Sequence, residues 1–409
     1  MQMPDIKVDK QGKGILYIGG FELPDKNAAA QRVIANGKIF NELGFSVYYL
    51  GLDHTLKGNT LVRSPTGGSD NFTFYSSQYP SGLFKWISYL CGVKQILKIA
   101  DEIPGLEYIV AYNYPAIALD RLNKWCKARN ISLIADCTEW YEPQGNLLFK
   151  MIKGFDTSFR MKIVHPKLNG IIAISKYLYS FYNERVGNVL QLPPLVDSAS
   201  DKWKSNCTNT SDKLVLIYAG SPGKGSKDRI DAILGALSIV KATSDIHFSL
   251  HVIGLTQQQY IEDFGAGSLP PELDTNVIFK GRLSHIDTLN EIKCADYAIF
   301  VRDNNLVNTA GFPTKFVEAL SCGTPVLTNE SSNIGDYLKN GENGYILDNS
   351  TGETLVQTLS VALSQKKEKI NAMKMMIRST NTFDYTNYLK PVEAFLNSTK
   401  VASVNSKKP

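Results

Sequence analysis

The sequence predicts an α/β protein built from two Rossmann-like, doubly wound parallel-sheet domains that face each other across a cleft. One observation is length, because 409 residues exceed the usual size of a single domain. The other is a pattern in which short apolar strands alternate with amphipathic helices in two separate blocks. Such alternation indicates parallel strands joined by crossover helices, whose ligands bind beyond the carboxyl ends of the strands.

The first block begins with an apolar run that ends at Gly19 and Gly20. Period-2 and period-3.6 apolar patterns then follow one another as far as Ser175, a natural N-cap for the helix after it. The predicted elements are strands at 15–18, 47–50, 108–111, 132–135 and 170–174, and helices at 28–42, 117–128 and after Ser175.

The second block begins after a Pro-rich and polar stretch that extends from residue 192 to residue 213 and is predicted to be a linker. We therefore expect one domain at 1–192, a second at 193–384 and a disordered tail at 399–409. The predicted elements are strands at 214–219, 248–253, 277–279, 297–301 and 326–327, and helices at 229–241 and 316–320.

Cysteine use and hydropathy predict a cytosolic protein. The six cysteines (91, 126, 137, 207, 294 and 322) form no CxxC pair and lie mostly in apolar runs. This favours reduced, buried thiols over a zinc site. The N-terminal residues lack the apolar core of a signal peptide, and no apolar run is long enough to span a membrane.

Charge is distributed unevenly along the chain. Residues 1–195 contain 22 Lys and Arg against 16 Asp and Glu, and the remainder contains 22 against 23. A basic first half indicates contact with an anionic surface or substrate, although a solvated basic face has the same composition. The basic residues are not interleaved with regularly spaced aromatic residues, so nucleic-acid binding is not expected.

The segment NTAGFPTKFVEALSCGTPV at 308–326 has the pattern of an anion site at a helix N-terminus. Gly311, Phe312 and Pro313 can form a tight turn whose backbone N–H groups point at an anion. Glu318 lies one helical turn further on, where it can accept two hydrogen bonds from a ribose diol. An ordinary helix–turn–strand unit would have the same pattern.

Two common nucleotide-binding classes are excluded by their motifs. The loop GSPGKGSK at 220–227 follows a strand, but the lysine of a P-loop is replaced by Ser226, and Lys227 comes one position late. Neither block has a GxGxxG sequence after its first strand. The chain is therefore neither a P-loop NTPase nor a dinucleotide dehydrogenase.

The sequence also predicts a site without bound metal. There is no DxD triplet, and the five histidines lack ligand spacing. The charge of a diphosphate would then be met by cations near strand ends, for which Lys227, Arg302 and Lys315 are the candidates. Each of them has the alternative of being a solvent-facing cation.

In the first domain, a cluster of acidic and aromatic residues follows a predicted strand. Asp136 and Glu139 precede Trp140 and Tyr141, a combination suited to holding sugar hydroxyls and stacking on a pyranose ring. We expect an acceptor site here, with Asn27 as a further contact. An exposed loop in which Asp136 caps the next helix is the alternative.

The segment LLFKMIKGFDTSFRMKIVHPK at 147–167 combines five cations, one acid and many apolar residues. It can lie in a membrane interface or receive a lipid-diphosphate acceptor. A packed helix pair whose lysines extend to solvent would have the same composition.

Together these motifs resemble the GT-B glycosyltransferases of the large retaining family four (group 1), which act in bacterial surface polysaccharide synthesis. The resemblance extends over nearly the whole chain. It is carried by 308–326, by the glycines at 19–20, and by NGIIAISKYL at 169–178, YAGSPGKGSKD at 218–228, FKGRL at 279–283 and NGENGYI at 340–346.

The resemblance implies roles for individual residues. Lys227, with Lys315, would stabilise the leaving diphosphate, Asp136 and Glu139 would meet the acceptor, and a helix at 385–398 would return to the first domain. The implied donor-binding residues are Gly19, Gly20, Gly220, Ser221, Arg282, Arg302, Asn308, Gly311, Phe312, Lys315 and Glu318.

Two positions differ from the pattern of the family. Ala310 stands where a first glutamate is usual. The role of that glutamate would pass to the N–H groups of Gly311 and Phe312, or to Asn308 and Arg302. The histidine usual after a first-domain strand is also absent, and Asp136 or the segment 112–114 lies in its place.

The sequence thus predicts transfer of a sugar from a UDP- or GDP-linked donor to a glycan or polyprenyl-diphosphate-linked acceptor. No cofactor is expected, because the nucleotide-sugar is a substrate. The predicted location is cytoplasmic, and segment 147–167 is the candidate contact with the inner face of the membrane. The alternatives are a non-catalytic GT-B subunit that binds a sugar nucleotide or a partner enzyme, and a sugar-nucleotide epimerase.

Overall fold

The structure is a computed structural model. It describes residues 12–24, 26–57, 62–65, 72–140, 147–204, 207, 211–222, 227–265 and 267–401. The chain divides into two compact units, unit 1 with Met1–Leu195 and Tyr385–Pro409, and unit 2 with Val196–Asp384.

Unit 1 contains one eight-stranded sheet flanked by helices. Its strands are β1 Lys13–Gly19, β2 Phe45–Asp53, β3 Val62–Pro65, β4 Phe72–Gln78, β5 Leu106–Tyr112, β6 Ser132–Cys137, β7 Gly170–Ala173 and β8 Val189–Gln191. Its first six helices are α1 Ala28–Glu42, α2 Leu83–Cys91, α3 Lys94–Glu102, α4 Ala116–Ala128, α5 Leu147–Phe159 and α6 Lys176–Asn183.

The strand order of unit 1 is β3-β4-β2-β1-β5-β6-β7-β8, and all neighbours are parallel except β3 and β4. From β1 the chain builds the sheet first through β2 and then, on the other side, through β5. The carboxyl ends of β1 and β5 therefore form the topological switch point, which is the usual ligand position in such sheets.

Unit 2 contains a six-stranded parallel sheet. Its strands are β9 Leu214–Ala219, β10 Phe248–Ile253, β11 Val277–Gly281, β12 Tyr297–Phe300, β13 Val326–Thr328 and β14 Gly344–Ile346. Its helices are α7 Ile230–Thr243, α8 Gln257–Phe264, α9 His285–Cys294, α10 Leu306–Ala310, α11 Thr314–Ser321, α12 Gly352–Leu363 and α13 Lys367–Thr380.

The strand order of unit 2 is β11-β10-β9-β12-β13-β14, with parallel pairing throughout. The switch point of this sheet lies between β9 and β12. The prediction of two doubly wound parallel sheets is thus confirmed.

The predicted elements agree with the structure where the apolar pattern is long. Helix α1 has the predicted bounds 28–42, and the Ser175 side chain accepts from the Leu178 N–H as the predicted N-cap. Strand β4 was not predicted, because its sequence FTFYSSQ mixes polar with aromatic residues. The short helix α10, within the segment expected to form a turn, was also missed.

The end of the chain is ordered further than the sequence suggested. After a 3₁₀ turn at Tyr385–Tyr388, helix α14 runs through Leu389–Thr399 and packs in unit 1. Lys400 then pairs with Glu107 at 2.9 Å, and the Val401 N–H donates to Ser132 Oγ. The prediction of a disordered tail is therefore wrong for residues 399–401, and residues 402–409 lie outside the described chain.

Among the described residues, no helix has both the length and the apolar composition that a membrane span requires.

The prediction of six reduced thiols is wrong for Cys207 and Cys294, which form a disulfide within unit 2. They are 87 residues apart in sequence, and their Cα atoms lie 5.1 Å apart. No local spacing signals such a pair, because it depends on the packing of the fold. Cys126, Cys137 and Cys322 are buried thiols as expected.

We predict that thiol titration of the denatured, unreduced chain detects four thiols, and that prior reduction raises the number to six. The Cys207→Ser, Cys294→Ser double variant should give four with or without reductant. Six thiols in the unreduced parent would show that the disulfide is absent.

Candidate functional site

The switch point of unit 2 holds a cluster of charged side chains around one buried carboxylate. Asp228 has 1% of its side chain exposed and precedes helix α7. Its Oδ1 accepts from Arg302 Nε at 3.0 Å, while its Oδ2 accepts from the Tyr218 hydroxyl at 2.8 Å and from Lys315 Nζ. These side chains come from β9, from the segment after β12 and from α11, so one carboxylate joins four segments of the chain. We call these four residues the Asp228 cluster.

The charges of the cluster are strongly coupled. Burial alone would raise the pKa of Asp228, but the charges of Lys315 and Arg302 outweigh burial and lower the pKa to about 2. Burial lowers the pKa of Lys315 from its ordinary value, although the charge of Asp228 opposes this shift. With one carboxylate between two cations, the cluster carries a net positive charge.

Aromatic rings complete the setting of Lys315. Its Nζ lies 4.5 Å from the ring centroid of Tyr218 and 5.5 Å from that of Phe300. A ring face attracts a cation, so both rings help to hold the ammonium group in place.

Gly220, at the end of β9, makes room for this ammonium group. A Cβ built at Gly220 would lie 2.6 Å from Lys315 Nζ, and its φ of +155° disfavours other residues. Glycine at this position therefore lets Lys315 lie directly over the strand end. The predicted neighbour Ser221 is exposed.

Glu318 lies on the same helix as Lys315, one turn further along. Its Oε1 is 3.3 Å from Nε2 of His285, the first residue of α9, and its side chain is 18% exposed. Residues three apart on a helix are neighbours on its surface, and the charge of Glu318 acts on Lys315. The predicted ribose ligand thus stands beside the Asp228 cluster, with a histidine partner that the sequence did not suggest.

Asn308 has a positioning role. It is 3% exposed, and its Nδ2 donates to the carbonyls of Asp303 and Lys227 at 2.9 and 3.4 Å. The amide therefore ties the Lys227 backbone to helix α10, and the expected contact of Asn308 with the donor sugar stays a prediction.

The turn at 311–313 also differs from its prediction. The Gly311 N–H donates to the Val307 carbonyl at 3.0 Å as the cap of α10, so it does not point at an anion. The Phe312 side chain is buried against Phe316, Tyr337 and Phe383. Ala310, which replaces the usual glutamate, is fully buried in α10.

The remaining predicted cations of unit 2 differ in exposure. The side chains of Lys227 and Arg282 are exposed. The Arg302 side chain is 11% exposed because it packs on Asp228. Lys227 immediately precedes Asp228 in sequence, so it lies at the same carboxyl edge as Lys315 and Arg302. Arg282 follows β11, which is the outermost strand of the sheet and is separated from β12 by β10 and β9.

In unit 1, the structure corrects the expected surroundings of Asp136. The residue lies inside strand β6 with no exposed surface. Arg32 Nη2 donates to Oδ1 at 2.7 Å, Arg32 Nε donates to Oδ2 at 3.0 Å, and the Tyr17 hydroxyl donates to Oδ2 at 2.5 Å. A carboxylate saturated in this way is not accessible to an acceptor, so Asp136 is a structural residue.

The same arginine reaches the end of the first segment of unit 1. Arg32 Nη1 donates to the carbonyls of Leu192 and Pro193 at 3.0 and 3.2 Å. The Arg32–Asp136 pair therefore fixes the chain just before it enters unit 2.

A strained asparagine stands at the carboxyl end of β5. Asn113 has a φ of +43°, and its side chain is bonded reciprocally to Thr138, with Nδ2 donating to Oγ1 at 2.6 Å. The Thr138 hydroxyl in turn donates to the Tyr112 hydroxyl at 3.2 Å. Non-glycine residues with positive φ concentrate at functional sites, and this one lies at the switch point.

The other predicted acceptor residues are distributed around this edge. Glu139 is half-buried, and its charge contributes to raising the pKa of Tyr112, after burial as the largest cause. Trp140 packs edge-on against Tyr177 and Phe181 of α6. Asn27 is the N-cap of α1 and accepts from the Ala30 N–H, and Tyr141 lies outside the described residues.

A cavity of about 290 Å³ opens beside the predicted glycine turn. Gly19 lines it, and a Cβ at Gly19 would lie 2.8 Å from the Tyr112 carbonyl, so only glycine fits there. The lining also includes residues of α2 and the start of α3, among them Lys85, Tyr89 and Lys94. A Cβ at Gly20 would be 3.6 Å from the Tyr89 hydroxyl.

Across the described ranges, no group of three or more His, Cys, Asp and Glu side chains is arranged to hold a metal ion.

Sequence reasoning missed the partners that organise these sites. Tyr218 was assigned only to an apolar strand, although a tyrosine at the end of LVLIYA is a signal for a buried hydroxyl with a partner. Asp228 is the last residue of the motif at 218–228, and the sequence suggested no role for it. Arg32 lies in a predicted helix, where nothing local distinguishes it from a surface cation.

Comparison with protein families finds a match in the second half of the chain. Residues 200–380 match a family described as "Glycosyl transferases group 1", a range that contains the Asp228 cluster and Glu318. A search of curated protein sequences found no significant match.

Solved structures share the fold over nearly the full length. A sucrose-phosphate synthase from Thermosynechococcus elongatus has a TM-score of 0.67 at 11% identity and covers 94% of this chain and 98% of its own. HepE from Anabaena, in complex with UDP and glucose, has a TM-score of 0.61 at 13% identity. The alignment covers 94% of this chain and 100% of HepE. A glycosyltransferase from Rickettsia africae has a TM-score of 0.65 at 15% identity. The alignment covers 95% of this chain and 99% of the Rickettsia protein. At these identities the likeness establishes a shared GT-B fold.

We predict that Asp228→Asn destabilises unit 2 by about 3 kcal/mol near pH 7, because Lys315 and Arg302 lose their buried counter-charge. The folded pKa of about 2 lies below the ordinary Asp value of about 3.9. The stability contributed by ionised Asp228 is therefore present above about pH 4 and is lost as the pH falls towards 2.

Denaturant unfolding of the parent and the variant across pH 3 to 8 measures this difference. The difference in free energy of unfolding between parent and variant should be constant above about pH 5 and should become smaller below about pH 4. Asp348→Asn, at an exposed position in the same unit, is the control and should change stability little. A difference between parent and Asp228→Asn that grows on acidification would contradict the assignment.

Proposed function

We propose that this chain, a glycosyltransferase whose residues 200–380 form a group 1 domain, transfers a sugar from a UDP- or GDP-linked donor to a glycan or lipid-linked glycan. The observation that carries this proposal is the Asp228 cluster at the switch point of unit 2. It places Lys315 and Arg302 at the edge where ligands of parallel sheets bind.

The cluster would bind the donor diphosphate. Asp228 offsets one of the two largely buried positive charges, so Lys315 and Arg302 can be held close together while a net positive charge remains for an anion. Exposed Lys227 adds a third cation at the same edge. Fixed cations stabilise the charge that develops on a departing diphosphate, and we therefore propose transfer without a bound metal ion.

Glu318 would hold the ribose. A carboxylate accepts hydrogen bonds from both hydroxyls of a diol, and Glu318 projects from α11 one turn from Lys315. Its contact with His285 orients the carboxylate before the nucleotide binds. Arg282 would lie towards the base, as the resemblance to the family implies.

Transfer would break the bond from the anomeric carbon to the diphosphate oxygen and form a bond from that carbon to the acceptor oxygen. The acceptor proton would pass to the departing diphosphate, because Asp136 is enclosed by Arg32 and Tyr17. Attack on the side of the leaving group retains the anomeric configuration. Half-buried Glu139 would bind an acceptor hydroxyl.

The acceptor would bind in unit 1, in the 290 Å³ cavity beside Gly19. Lys85 and Lys94 in its lining suit an acceptor with an anionic group, such as a polyprenyl diphosphate. In segment 147–167, Met151 and Phe155 are 65% and 64% exposed. We therefore propose that this activity takes place at the cytoplasmic face of a membrane, in polysaccharide synthesis.

Incubation of the full chain with UDP-glucose, UDP-N-acetylglucosamine, UDP-galactose and GDP-mannose tests the proposed activity. One donor should be consumed, with release of free UDP or GDP and an α-linked product when an acceptor is supplied. Isomerised donor without released nucleotide would identify an epimerase. Intact donors throughout, in a sample that binds UDP, would identify a binding subunit.

We predict that Glu318→Ala weakens UDP binding at least about tenfold, because charge-assisted hydrogen bonds to the ribose are lost. The parent should bind UDP more tightly than 2′-deoxy-UDP, and this preference should disappear in the variant. Calorimetric titration measures both affinities. Glu353→Ala, on the exposed start of α12, is the matched control, and an unchanged preference in Glu318→Ala would refute the ribose assignment.

We predict that Lys227→Ala lowers kcat by about 100-fold, since one cation that stabilises the leaving group is removed. Its side chain is exposed, so the thermal unfolding temperature should be unchanged. Lys339→Ala, another exposed lysine of unit 2, should retain the kcat of the parent. Equal turnover in both variants would exclude Lys227 from the diphosphate site.

A further inference from the structure

Helix α2 in unit 1 exposes its apolar face to solvent. Leu83, Phe84, Trp86 and Ile87 lie at i, i+1, i+3 and i+4, which places them on one face of the helix. Their side chains are 71%, 86%, 38% and 48% exposed, and no residue of this helix is buried.

The opposite face of α2 is polar and lines the cavity. Lys85, Ser88 and Tyr89 belong to this lining, and Lys85 Nζ donates to Gln78 Oε1 at 2.6 Å. A helix on the surface of a soluble protein normally directs its apolar stripe to the core and its polar face to water. In α2 the apolar stripe faces outward, so we expect it to be covered by something apolar.

Helix α5 repeats this feature. Met151, Ile152 and Phe155 lie on one helical face and are 65%, 53% and 64% exposed. Phe155 also stacks on Phe159, with ring centroids 5.7 Å apart. Two helices of the same unit thus carry exposed apolar stripes.

Helix α4 connects α2 to α5. It packs against both helices: Arg121 Nη1 donates to the Cys91 carbonyl at the end of α2, and the Ala116 N–H donates to Asp156 of α5 at 2.9 Å. Ile117 of α4 is itself 39% exposed. The exposed apolar side chains therefore come from three adjacent helices.

The charges around these helices are mostly positive. Helix α2 has Lys85 as its one charged residue. Exposed lysines at 94, 98, 150 and 162 lie on or next to α3 and α5, and α3 ends with two exposed acids, Asp101 and Glu102. The one acid of 147–167, Asp156, is used for the hydrogen bond to α4 and lies 3.9 Å from Arg160. Exposed apolar side chains flanked by lysines match the chemistry of an anionic bilayer, where rings enter the interface and ammonium groups meet lipid phosphates.

We propose that α2 and α5, with Ile117 of α4, form a docking surface for an anionic lipid bilayer, and that α2 is its main contact. Because the inner face of α2 lines the cavity, docking would place the cavity next to the headgroups. A lipid-linked acceptor could then enter the cavity while its chain stays in the bilayer. The delivery of an acceptor to the cavity rests on the proposed function, which is transfer to a lipid-linked acceptor. Docking to the bilayer itself requires neither donor nor acceptor.

Co-sedimentation of the full chain with vesicles tests the surface. The parent should bind vesicles of phosphatidylglycerol and phosphatidylcholine, bind pure phosphatidylcholine weakly, and be largely released by 1 M salt. Phe84→Glu should reduce binding at least about tenfold. Met375→Glu, at a 66% exposed position in unit 2, is the matched control and should bind like the parent.

A second readout locates α2 directly. Brominated lipids should quench tryptophan fluorescence in the parent and quench it much less in Trp86→Phe. The proposal is overturned if the parent stays in solution with anionic vesicles, if Phe84→Glu binds as well as Met375→Glu, or if Trp86→Phe is quenched as much as the parent. It is also overturned if the parent is a dimer that Phe84→Glu dissociates, since the surface would then join two copies. Loss of UDP binding with intact vesicle binding would count against the proposed function alone.

Discussion

The interaction on which the candidate site depends is the contact of the Asp228 carboxylate with Lys315 and Arg302. Two cations this close in a largely buried position would repel each other and would each lose hydration. The carboxylate between them offsets one charge and fixes both side chains through direct hydrogen bonds. Gly220 and the Tyr218 ring complete the arrangement, since one leaves space for the Lys315 ammonium and the other holds it.

Unit 1 also contains a buried aspartate paired with a cation, but this pair is fully enclosed. In each unit a tyrosine of the first strand donates to a buried aspartate, Tyr17 to Asp136 and Tyr218 to Asp228. The Arg32–Asp136 pair is 3% and 0% exposed and is enclosed, whereas Arg302 and Lys315 are 11% and 14% exposed. The first pair therefore stabilises its unit, and the second can also meet a ligand. This contrast makes Asp136 a structural residue and leaves Lys315 and Arg302 of the Asp228 cluster partly accessible, as the proposed donor site requires.

Much of the fold was predictable because strands such as β9 and helices such as α1 have strong local periodicity. The positions of Glu318 and Lys315 were also predictable, since both lie in one helix within a recognisable motif. Contacts between distant segments were not, including the Cys207–Cys294 disulfide and the partner of Asp136. The apolar face of α2 escaped notice because a nine-residue helix with exposed Phe84 has the same sequence pattern as a buried one.

The central claim is that the Asp228 cluster binds the diphosphate of a nucleotide donor. Titration calorimetry with UDP and with uridine, on the parent and on Lys315→Met, tests it most directly, because the two ligands differ only in the diphosphate. The account predicts that the parent binds UDP at least about 100-fold more tightly than uridine, and that Lys315→Met loses most of this difference while binding uridine as the parent does. Equal binding of UDP and uridine by the parent, or an undiminished difference in Lys315→Met, would contradict it.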